Sequence, residues 1–135
     1  MDRLTKLPFQ RTDGGREAST VREHNDCTVR SFAVAFRISY SRSHCAFTIH
    51  GRKFRRRFRL KDHATKIAAY LGGDLRLVKR SGTVGKLIAE FPAENMIVRV
   101  RGHVFAVRDG VVHDQCPVPP RKQVIEAWIA SPLVN

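Results

Sequence analysis

Residues 96–114 read M-I-V-R-V-R-G-H-V-F-A-V-R-D-G-V-V-H-D, and this stretch decides the fold. Valine recurs through Met96 to Arg101, His103 to Arg108 and Val111 to Asp114 with a period of two, the mark of strands. Asp109-Gly110 is a strong two-residue hairpin signal, because both positions of such a turn need positive φ. With those two residues at its centre, the turn sets Arg108 opposite Val111, Val107 opposite Val112, Ala106 opposite His113 and Phe105 opposite Asp114. The reading is a β-meander. Pro117, Pro119 and Pro120 then interrupt pairing. Val124 to Ala130, which contains Trp128, is compatible with a strand or a helix, and the strand is preferred.

Upstream of this block the period is helical. From Asp26 onward Val29, Phe32, Ala33 and Phe36 fall on one face, and Asn25 or Asp26 can accept hydrogen bonds from the first free N–H groups. A second helix is predicted from Ser41, as cap, to about His50, with Gly51 as its left-handed terminator. Asp62 is expected to cap a third, with Ala64, Ile67, Ala68 and Leu71 on its inner face and Gly72-Gly73 stopping it. Leu75 to Lys79 reads as a strand. Ser81 or Thr83 then starts a helix through Leu87, Ile88 and Phe91, closed by Pro92. Helices first and strands later predict an α+β domain, with N-terminal helices packed on a C-terminal antiparallel meander. Residues 1–19 lack periodicity and are expected to be a flexible N-terminal segment. Residues 20–135 are then a single domain.

A chain of 135 residues, 42% hydrophobic and 27% charged, has the size and balance of one globular domain. Its longest apolar runs fall far short of the roughly 20 residues that span a bilayer, and its N-terminus lacks the apolar run of a secretory signal. A cytoplasmic location without membrane attachment is expected. The three cysteines, Cys27, Cys45 and Cys116, are an odd and irregular set that suits free thiols in a reducing compartment.

Twenty-five Lys and Arg against twelve Asp and Glu give a net charge of +13, a field that favours anionic partners. Seven of those cations lie in Arg52 to Lys61, R-K-F-R-R-R-F-R-L-K. Arg52, Lys53, Arg55, Arg56, Arg57 and Arg59, interleaved with Phe54 and Phe58, are candidates for contacts to nucleic acid or another polyanion. The competing reading is a solvated basic loop whose two phenylalanines enter the core.

Cys27 falls in the first turn of its helix, where the positive end of the dipole lowers a thiol's pKa and raises the thiolate fraction. A small buried apolar residue is the alternative. A nucleophile of this kind needs a base, and the base needs an orienting group. His103 shares a sheet face with Asp114 in the inferred register and lies diagonal to it, a separation of roughly 7–8 Å that imidazole and carboxylate can bridge. Asp109, the rival carboxylate, is accounted for by the turn. A one-residue bulge would instead bring His113 forward. The same register sets Cys116 opposite His103, so a Cys116 nucleophile, or a metal on His103, His113 and Cys116, is a competing reading. Paired Cys and His metal-site spacings are absent, and neither metal nor cofactor is expected. His44 and Cys45 read as structural.

The segments E-H-N-D-C-T-V-R-S-F-A-V-A-F (residues 23–36) and R-V-R-G-H-V-F-A-V-R-D-G-V-V-H-D (residues 99–114) resemble the small papain-like cysteine peptidases of bacteriophage genomes. They are more distantly similar to ovarian-tumour deubiquitinases and bacteriocin-processing peptidases. The likeness covers about residues 20–130. It implies a papain-like fold and a protein or peptide substrate, with Cys27 as nucleophile, His103 as general base and then acid, and Asp114 as orienter. A phage-encoded chain would act in the host cytoplasm. One departure is Val21, which stands where such enzymes usually carry an oxyanion-binding Gln. Asn25 is the nearest amide and is the candidate oxyanion donor beside the Cys27 N–H, with a plain helix cap as its alternative role. The rival function is a catalytically inactive, nucleic-acid-binding or host-interaction protein on the same scaffold.

Overall fold

The computed structural model describes residues 6–17, 26–52, 60, 63–78 and 82–131. Three valine-rich strands form as their period demands: β4 (Met96–Val100), β5 (His103–Arg108) and β6 (Val111–Asp114). Between β5 and β6, Asp109 and Gly110 both take positive φ, 50° and 77°, the combination that twists a two-residue hairpin to match its strands. The register is Ala106 with His113, Val107 with Val112 and Arg108 with Val111, as the turn requires. Pairing of β5 with β6 stops there, one step before a Phe105–Asp114 pair.

The preference for a strand near Trp128 holds, as β7 runs over Gln123–Ser131. Its place differs from a simple meander. β7 follows β6 in the chain but pairs antiparallel with β4, with an irregularity between Arg99 and Val100, and on its other side with β2 (Asp74–Val78). Among the described residues the remaining strands are β1 (Phe9–Arg11) and β3 (Gly82–Thr83). The sheet order is β1-β6-β5-β4-β7-β2, with β3 on the N-terminal part of β7. β6 cannot receive β7 because its outer edge is taken. β1 pairs with it in parallel, Val112 N–H donating to Pro8 O at 2.8 Å and Thr12 N–H to Asp114 O at 2.9 Å. The segment expected to precede the fold thus contributes a strand, and strands and helices interleave along the chain rather than following in two blocks.

Among the described residues four helices complete the α+β architecture: α1 (Cys27–Ala35), α2 (Tyr40–Ile49), α3 (Ala64–Tyr70) and α4 (Val84–Glu90). One cap is corrected, and of the two expected for the last helix Thr83 is the one used. α2 starts two residues earlier than expected, with the Ser39 hydroxyl, not that of Ser41, accepting from Arg42 N–H. Thr83 caps α4 by accepting from Lys86 N–H. Asp62 and Ser81 lie outside the described residues.

Alternation along the central strands gives each face of the sheet its own core. Ile97, Val104, Ala106, Trp128 and Ala130 point to the side where Val29 and Phe32 of α1, Phe36 at its C-terminal cap, Phe47 of α2 and Ile67 of α3 pack. Met96, Val98, Phe105, Val107, Ala127 and Ile129 point to the other, against Val84, Leu87 and Ile88 of α4. Phe32 and Phe47 meet edge to face at 4.9 Å. Each such fully buried side chain contributes roughly 1.5–3 kcal/mol by removing apolar surface from water. The packing of α1 on β5 brings the head of the helix to the start of that strand. Among the described residues, no helix is long and apolar enough to cross a membrane.

Candidate active site

Cys27 is the first residue of α1 and is partly buried. The N–H groups of that first turn have no acceptor within the helix, so the thiol sits at its positive end. His103 is the first residue of β5 and Asp114 the last of β6, and the hairpin joins them across one diagonal. His103 Nε2 lies 2.6 Å from Asp114 Oδ2. Cys27 and the imidazole are close enough for each to shift the other's titration. The structure therefore brings together Cys27, His103 and Asp114, residues separated widely in sequence.

The electrostatics follow from this contact. Burial alone would push the Cys27 thiol up, but hydrogen bonding and charge from His103, the Val104 N–H and the Arg30 charge together outweigh it and hold the thiol below its ordinary value. The hydrogen bond to Asp114, followed by that to Cys27, raises His103 to about 9 against the opposing effect of burial. Both shifts act in the same sense, toward the thiolate and imidazolium forms of the pair.

Asp114 is itself held. It is 6% exposed, and its Oδ1 accepts the Gln115 N–H at 2.8 Å and faces Arg30 Nη1 at 3.4 Å. The backbone around it is clamped from β1, where Arg11 Nη1 donates to Gln115 O at 2.6 Å.

The competing groups fall elsewhere. Asp109 lies in the turn. His113 pairs across the strands with Ala106, so its side chain leaves β6 on the face opposite Asp114, and burial and then Arg108 lower its pKa. Cys116 is exposed beyond the end of β6, where the strand has bent away, so the expected position opposite His103 does not exist. Among the described residues, no group of three His, Cys, Asp or Glu side chains is gathered as a metal site. His44 approaches Tyr40 on α2, with ring centroids 6.0 Å apart, and Cys45 is exposed. Asn25 and Val21 lie outside the described residues. So do Lys53, Arg55, Arg56, Arg57 and Arg59. Arg52 is 3% exposed and its N–H donates to Phe47 O at 2.9 Å, so it closes α2 and packs inward rather than projecting to solvent.

Sequence reasoning missed a buried polar cluster beneath the site. Asp26 occupies the N-cap position of α1, yet its side chain bonds no helix N–H. It is 1% exposed, with Oδ1 at 3.0 Å from Arg30 Nε and 3.2 Å from Arg16 Nη1, and Oδ2 accepting the Tyr40 hydroxyl at 2.6 Å. The Asp26–Arg30 spacing of i,i+4 was a readable signal for that pair. Nothing local pointed to Arg16 or Tyr40. Comparison with protein-family models, with curated proteins and with solved structures gives no match.

Proposed function

We propose that the chain is a papain-like cysteine peptidase that cleaves a peptide or isopeptide amide through Cys27, His103 and Asp114. The observation that carries this reading is a single imidazole held at 2.6 Å by a buried carboxylate while it faces a thiol at a helix N-terminus. The Cys27 thiolate attacks the carbonyl carbon, and the carbonyl electrons move to oxygen. Collapse of that oxyanion expels the amine, which takes its proton from the His103 imidazolium, and leaves a thioester on Cys27. His103, now neutral, takes a proton from water as the water attacks the thioester. The acid departs, and thiolate and imidazolium are restored. The backbone N–H groups at the head of α1 suit the developing oxyanion. The substrate's sequence is not implied by these residues.

The test is competitive labelling with a thiol-directed electrophile near neutral pH. Cys27 is expected to react faster than the exposed Cys45 and Cys116 despite being the least accessible of the three. His103→Ala should abolish that preference. Uniform labelling of the three thiols would sink the proposal.

The net charge of +13 supports a second reading, polyanion binding by the chain, with Lys53, Arg55, Arg56, Arg57 and Arg59 as its centre. It requires nucleic-acid affinity that falls steeply with salt and weakens when Arg55, Arg56 and Arg57 become Ala. Absence of binding at low salt disposes of it.

A further inference from the structure

Arg30 stands three residues past Cys27 on α1, and the reaction sequence above gives it no part. Its guanidinium spans two carboxylates that arrive from different elements: Nε is 3.0 Å from Asp26 Oδ1, and Nη1 is 3.4 Å from Asp114 Oδ1. Both carboxylates are buried, and a buried charge left unpaired is costly. Asp114 divides its two oxygens between these partners. Oδ2 meets His103, whereas Oδ1 meets Arg30 and the Gln115 N–H. Rotation of the carboxylate about its Cβ–Cγ bond would break the Oδ1 contacts, so those contacts set the plane in which Oδ2 approaches the imidazole.

Arg30 is anchored in turn. Asp26 is fixed from its far side by Tyr40 and Arg16. Gly14 lies directly on the Arg30 backbone, since a Cβ at that position would stand 2.9 Å from Arg30 Cα. A planar fork that donates in two directions suits this bridge, and the point charge of a lysine does not.

Resting on the peptidase reading, we propose that Arg30 is a positioning residue: it ties the Asp114 carboxylate to the buried Asp26 at the head of α1, and through Asp114 it aims His103 at Cys27. Among the described residues, the charged and titratable groups around this bridge are Asp26 at the cap of α1, Cys27 on α1, Arg16 in the segment after β1, Tyr40 on α2, His103 on β5 and Asp114 on β6. Arg11 of β1 is committed to the Gln115 carbonyl. The bridge therefore couples the triad carboxylate to the rigid body of the helix that carries the nucleophile.

The experiment is a double-mutant cycle on the rate at which iodoacetamide alkylates Cys27, in full-length protein with Cys45→Ser and Cys116→Ser so that one thiol remains. Arg30→Met is expected to slow alkylation at neutral pH about tenfold when Asp114 is present, and less than about twofold in an Asp114→Ala background. Equal slowing in both backgrounds overturns the proposal, because Arg30 would then act on the thiolate directly through space. Arg30→Lys should recover less than half of the lost rate; full recovery also overturns the proposal, since charge alone would suffice. Circular dichroism and thermal melting separate loss of fold from loss of position, and Arg30→Lys carries the cycle if Arg30→Met does not fold. The peptidase reading fails at a different point: Cys27 of the otherwise unsubstituted protein would alkylate no faster at neutral pH than in the urea-unfolded chain.

Discussion

At the scale of single residues the site is a chain of partners, each of which changes the chemistry of the next. His103 is held at about 9 first by its hydrogen bond to Asp114, and the charge of that carboxylate adds to it. Asp114→Asn keeps the shape and removes the charge. The imidazolium then keeps an acceptor but loses the charge behind it, and its titration midpoint should fall toward the ordinary 6.5. With less imidazolium present at neutral pH, the thiolate loses support too, and the Cys27 titration moves up. The two groups titrate as a pair, so the expected outcome is a narrowed window between two macroscopic midpoints. NMR titration of the His103 ring, read beside the pH dependence of Cys27 alkylation, checks both limbs. Unchanged midpoints would mean that the charge of Asp114 does not support the imidazolium.

At the scale of elements the head of α1 is the feature on which most depends. A helix start usually satisfies its own N–H groups with a capping side chain, but here the capping position is given to Asp26, whose carboxylate serves Arg30, Arg16 and Tyr40 instead. Asp26→Asn removes a buried charge and leaves two guanidinium groups short of a partner. The expected loss is about 2–3 kcal/mol, below the range for fully buried pairs because Arg16 is 21% exposed; urea unfolding measures it. The segment after β1 makes its own contribution. Gly14 has φ of 70° and no space for a Cβ against Arg30, so Gly14→Ala should cost about 1–3 kcal/mol by strain and collision together. That variant should also slow Cys27 alkylation, because the shift it forces falls on Arg30. A variant as stable as the parent would show that residues 12–17 do not press on α1.

At the scale of the whole molecule the sheet is the common frame on which two cores are built. β4, β5 and β7 are flanked by strands on both edges and covered on both faces, whereas β1 and β2 end the strand order. Hydrogen exchange should therefore be slowest in β4, β5 and the middle of β7, and faster in β1 and β2. Exchange at the Thr12 amide, which donates to the Asp114 carbonyl, reports directly on opening of the β1 edge beside the site. Trp128 belongs to the core shared by α1, α2 and α3 and is 3% exposed. Trp128→Ala should cost about 3–5 kcal/mol by equilibrium unfolding and weaken the packing that holds α1 against β5.

The sequence by itself determined the local features that depend on a few adjacent residues. The Asp109-Gly110 turn imposes its register on β5 and β6, the apolar spacing of Val29, Phe32 and Phe36 makes α1, and the position of Cys27 follows from where that helix begins. From the turn alone came the diagonal of His103 and Asp114, because strand periodicity carries a register several residues outward. Only the tertiary structure decided the rest. β7 joins β4 because β1 already occupies the edge of β6, a competition between segments far apart in the chain that no local pattern records. Asp26 looks like a helix cap in sequence, since capping is its local option; burial against Tyr40 and Arg16 converts it into an ion-pair centre. Arg30 reads as one more cation in a basic chain, and its two-carboxylate bridge exists only because the packing of α1 on β5 and β6 brings Asp114 within reach.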